Sequence, residues 1–69
     1  MTNDERAEIV LDVLEWQISA VIGARNTMRI GSPSHRFADA YAAELIRFSN
    51  ILRKYGGGVY SPEFSIDGE

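Results

Sequence analysis

Cysteine is missing from these 69 residues, and histidine occurs once, at His35. Disulfides are therefore excluded, and a zinc-type structural site cannot be assembled from a single imidazole. Proline is confined to Pro33 and Pro62, so nothing of that kind breaks a helix before residue 33. Long apolar runs are missing too. The longest uncharged stretch before the tail, Trp16 to Ala24, is about half of the roughly 20 residues a membrane span needs. A basic leader is also lacking: the chain opens Met-Thr-Asn-Asp-Glu-Arg, the reverse of a signal peptide's start, which places the expected compartment in the cytoplasm, with no membrane partner.

Small chains bury only about 60% of the surface their unfolded forms expose. They compensate with disulfides, a metal or oligomerisation. With the first two routes closed, oligomerisation is the expectation, and the first helix supplies the reason.

Thr2 and Glu5 have capping-box spacing, so a helix starts near Asn3. At about 100° per residue, Val10, Leu11, Val13, Leu14, Ile18, Ala20, Val21, Ile22, Ala24 and Met28 occupy an arc of roughly 240°. A helix lying on one neighbour needs only a little over 100°. Met28 still falls on the arc, so the helix is expected to run from about residue 3 to 30 despite Gly23, with Gly31 as a left-handed stop. Ser32-Pro33 then caps a second helix, about 33–55. Its stripe of Ala38, Tyr41, Leu45, Phe48, Leu52 and Tyr55, with Phe37 and Ile51 beside it, spans only roughly 140°. Phe37, Tyr41, Phe48 and Tyr55 read most simply as core.

The expected fold is all-α: an antiparallel two-helix hairpin over residues 1–55 that dimerises into a four-helix bundle. Charge agrees with the antiparallel order. Residues 1–15 carry −4, 16–36 carry +3, 37–54 carry +1 and 55–69 carry −3, which brings the acidic start beside Arg47, Arg53 and Lys54. The surplus arc predicts a self-association seam at Val10, Leu14, Gln17, Val21 and Met28. Gln17 there would either fix register as a buried amide or sit at the wet edge, and Trp16 would border the seam as a rim residue or as an anchor for a partner.

Gly56-Gly57-Gly58 ends the second helix and predicts a hinged tail over residues 56–69. Alternation of Tyr60, Pro62, Phe64 and Ile66 with polar residues suits an extended edge strand that could lie in a groove of its own bundle or add to another protein's sheet, and Tyr60, Phe64 and Ile66 become candidate contacts to a protein partner.

Chemistry is thinly represented. Glu5, Glu8, Asp12 and Glu15 lie within roughly 80° of one another and could offer oxygen to magnesium or imitate a row of phosphates. The facing helix supplies only Asp39 and Glu44, at the wrong spacing for a second acidic motif; a solvated face is the plainer reading. His35 and Asp39 share a face but amount to two ligands, and the serines have one histidine to divide and no nucleophile motif. No catalytic, cofactor-binding or metal-binding residue is expected. Arg25, Arg29 and Arg36, with His35, gather near the inter-helix turn and are candidate phosphate contacts, although a larger basic excess and a recognition helix are missing. The expectation is a small non-enzymatic interaction protein that self-associates and binds or modulates another macromolecule, with a nucleic-acid-associated regulator as the alternative. Its brevity and complete-looking ends are in the style of small proteins of phages and mobile elements, a likeness that no motif extends.

Overall fold

The computed structural model describes residues 1–64, and it is a helical hairpin. Helix α1 spans Asn3–Arg25 and α2 spans Pro33–Tyr55, antiparallel and joined by a turn; a short 3-10 helix, Gly56–Tyr60, follows. No strand occurs among the described residues. The capping box closes as its spacing requires. Glu5 N–H donates to Thr2 Oγ1 at 3.1 Å, and Thr2 N–H donates to Glu5 Oε1 at 3.0 Å. At α2 the Ser32 hydroxyl accepts from His35 N–H at 3.2 Å, with Pro33 in the first helical position.

Helix α1 stops at Arg25, five residues short of the expected end at Ile30. The Thr27 hydroxyl donates to the Ala24 carbonyl at 2.7 Å, and Thr27 and Met28 N–H turn back to Ala24 and Arg25. These i→i+3 bonds replace the α-helical pattern, the competition that short polar side chains offer a helix. Gly31 keeps its left-handed role at φ 83°, now within the turn and not as a helix stop.

The core is small. Ala7, Leu14 and Leu52 are buried together, ringed by half-buried Val10, Leu11, Leu45, Phe48, Val59 and Tyr60. Further along, Ala38, Ala42 and Ser49 are buried, small side chains that let the helix axes approach. The two edges of the hairpin differ in chemistry. One carries Arg25–Asp39 and Glu15–Arg53, each at 2.8 Å. On the other, Gln17 Nε2 donates to Tyr41 Oη at 2.8 Å.

The glycine run does not act as the expected free hinge. Gly56 leaves α2 at φ 56°, and Gly57 is buried against the start of α1, donating its N–H to Asp4 Oδ1 at 3.0 Å. A β-carbon on Gly57 would stand 2.5 Å from backbone atoms of Asn3 and Asp4. Glycine is needed there to let the chain reverse onto α1, and Val59 and Tyr60 then reach the core cluster.

The principal extents are 41 × 25 × 14 Å. Since one helix with its side chains is about 10–12 Å across, the hairpin is a single layer of structure, whereas a stable domain ordinarily packs two.

Candidate interaction surface

One layer leaves the back of each helix bare, and the back of α1 is apolar. Ile9, Val13, Trp16, Ala20 and Gly23 follow one another at spacings of four and three and are all exposed, with Ala24 beside them. Trp16 is 74% accessible, and Ile9 and Val13 are half accessible. A monomeric protein rarely leaves a row of large aliphatic and indole side chains in water along one helix. On the Gln17–Tyr41 edge the surface continues onto α2 through Tyr41 and Phe37, whose rings pair at 5.9 Å between centroids. Phe37 is 72% accessible, so it is not core as expected. Its neighbours in α2 face the hairpin instead, Ala38 buried and Asp39 paired with Arg25.

The seam residues are divided by the fold. Leu14 is corrected outright, since at 6% exposure it belongs to the intramolecular core with Leu52 and has no surface to offer a second chain. Val10, Gln17 and Val21 are half-buried along the α1 edge shared with Tyr41, and Met28 is half-buried in the turn beyond α1. Gln17 is half-buried at the hairpin's edge, where its amide donates to Tyr41. The surplus apolar surface lies further round α1, on Ile9, Val13, Trp16 and Ala20. The spacing was visible in the sequence; which part of the arc α2 would cover was not.

Tail candidates are likewise partly engaged at home. The Arg6 guanidinium stands 5.1 Å from the Tyr60 ring centroid, and Phe64 meets Tyr55 edge-on at 5.1 Å. Ile66 lies outside the described residues. Near the turn, Arg25 is paired with Asp39, while Arg29 and Arg36 are exposed. That pairing uses the carboxylate that the sequence offered to His35.

Two members of the acidic line of α1 have local structural roles, Glu5 in the capping box and Glu15 with Arg53, while Glu8 and Asp12 are exposed. Asp4, outside that line, accepts from Gly57. The Thr2 backbone N–H, and secondarily its hydroxyl, hold the Glu5 carboxyl below the usual carboxylate range. Among the described residues no three histidine, aspartate or glutamate side chains gather where they could hold a metal ion, and no helix is long and apolar enough to cross a membrane. No family model matches this chain, and no curated protein or solved structure matches it.

Proposed function

We propose that this is an interaction protein that works by contact, not catalysis, and that the apolar back of α1, extended by Phe37 and Tyr41, is its working surface. It self-associates and binds or modulates another macromolecule from a cytoplasmic setting. The observation that carries the reading is the exposure of Trp16 beside Ile9 and Val13 in a hairpin whose buried hydrophobic core amounts to Ala7, Leu14, Ala38, Ala42 and Leu52. Fully burying a large apolar side chain is worth roughly 1.5–3 kcal/mol, so one three-quarters exposed and two half exposed forfeit a few kcal/mol, a sizeable part of the net stability of a small domain. A surface kept at that expense is used.

The test is whether the stripe serves the fold or serves contact. Val13→Glu/Trp16→Glu should leave the far-ultraviolet helical signal and the dilute-solution melting temperature unchanged or higher, while abolishing binding of an apolar fluorescent dye. Unfolding of that variant would show that the stripe supports the hairpin itself, and the reading would fail.

A further inference from the structure

Resting on that reading, we infer that the occupant of the stripe is α1 of a second copy, lying antiparallel about a two-fold axis at the level of Ile18. The helical positions 9, 13, 16, 20 and 23 are spaced 4, 3, 4, 3, a seam of the coiled-coil kind whose inner four positions, 13 to 23, are symmetric about residue 18. An antiparallel partner therefore meets it in register, bringing Val13 opposite Gly23 and Trp16 opposite Ala20. Every large side chain is in the first half and every small one in the second. Alternating large and small residues across facing positions is what a close-packed interface requires; a parallel partner would set Trp16 on Trp16 and Gly23 on Gly23.

Gly23 supplies an independent reason. It sits within α1, where glycine weakens a helix, yet its φ is not positive and a β-carbon there would meet nothing within 4 Å. Nothing inside the protomer calls for glycine at this position. A facing Val13 does. Charge selects the same order: residues 1–15 carry −4 while Arg25 and Arg29 lie at the other end, so antiparallel chains keep their acidic halves apart and parallel chains would align them at a spacing of 8–10 Å, about one Debye length.

The surface is modest in area. Trp16, three-quarters exposed, contributes roughly 150 Å², counted twice by symmetry, and the stripe follows a helix about 35 Å long. The interface falls at the small end of specific ones, roughly 1,200 Å² in total, so the dimer is reversible and depends on concentration. It also provides the second layer that a 14 Å thick hairpin lacks.

Because the chain has no cysteine, introduced thiols report the pairing cleanly. Positions 13 and 23 of one chain are about 15 Å apart along the helix, too far for a disulfide within a chain. Oxidising an equimolar mixture of Val13→Cys and Gly23→Cys chains should give a mixed disulfide dimer at least several-fold in excess of either homodimer. A homodimer from Val13→Cys alone would mean a parallel pair and overturn the inference. Gly23→Ala supplies a second readout: it should raise the melting temperature in dilute solution while weakening the dimer at least tenfold, and wild-type dimerisation by this variant would also overturn it. If the chain stays monomeric at every concentration while Val13→Glu/Trp16→Glu remains folded, self-pairing is wrong and the stripe is left to a foreign partner. If that variant unfolds, the contact reading itself has failed.

Discussion

Gly57 donates its backbone N–H to Asp4 Oδ1 at 3.0 Å with its α-carbon pressed against the Asn3–Asp4 backbone, and this contact ties the end of the helical chain to its beginning. It turns a glycine run into a clasp. The clasp seats Val59 and Tyr60 on Ala7, Leu14 and Leu52, and so completes the core at the hairpin's open end.

Gly57→Ala should therefore be costly. A β-carbon 2.5 Å from main-chain atoms cannot be absorbed by a side-chain shift, and overpacking of this kind costs roughly 1–3 kcal/mol. Gly58→Ala, with nothing within 4 Å of its β-carbon, should be neutral or slightly stabilising. Urea melts of the two variants side by side check the contrast, and equal midpoints would contradict the clasp.

Core and stripe should respond oppositely to truncation. Leu52→Ala, at 1% exposure, is expected to lose roughly 2–5 kcal/mol, enough to unfold a chain of this size. Val13→Ser should change the dilute-solution melting temperature little, because its side chain is half in water. Circular dichroism melts at low concentration separate the two outcomes.

Acid should loosen the start of α1. The folded-state Glu5 carboxyl lies below its ordinary value because Thr2 N–H and then the Thr2 hydroxyl donate to it. A depressed folded value contributes stability that is present above the unfolded value and is lost as the pH falls through the folded one. Protection of the amides at residues 2 to 5, corrected for the intrinsic exchange rate at each pH, should therefore fall as acid titrates this carboxyl, and Glu5→Gln should remove that pH dependence. An unchanged profile in the variant would show that another group is responsible.

The two cross-helix ion pairs should matter little. Arg25–Asp39 and Glu15–Arg53 join side chains that are about a third to more than half exposed, and such pairs are worth ~0–1 kcal/mol. Glu15→Gln and Asp39→Asn should each shift a denaturation midpoint only slightly, and 0.5 M salt should do no more; a large loss from either would mean the pair is effectively buried.

Much of the fold was legible because it is governed by local chemistry. Thr2 with Glu5 and Ser32 with Pro33 mark both helix starts, and the 3.6-residue period marks both apolar faces. The end of α1 was less legible, since it depends on Thr27 choosing the Ala24 carbonyl over a continued helix, a contest in which Met28 pulls the other way. The clasp could not be read at all from composition. Three glycines signify a hinge or a close backbone approach with equal force, and only the position of Asp4, 53 residues away from Gly57, decides between them. For the surface, the arc on α1 was visible, but its division between α2 and solvent depends on packing angle, which moved Leu14 inward and left Val13 and Ala20 outside.

The most direct measurement is solution mass by sedimentation equilibrium across a wide concentration range, for wild type and for Val13→Glu/Trp16→Glu. Wild type should rise from 7.7 kDa toward twice that value as concentration increases, with Trp16 emission moving to shorter wavelength in step, while the charged variant stays at the monomer mass. A wild-type chain that remains monomeric throughout, or a charged variant that dimerises equally well, would contradict the assignment of the α1 stripe to self-association.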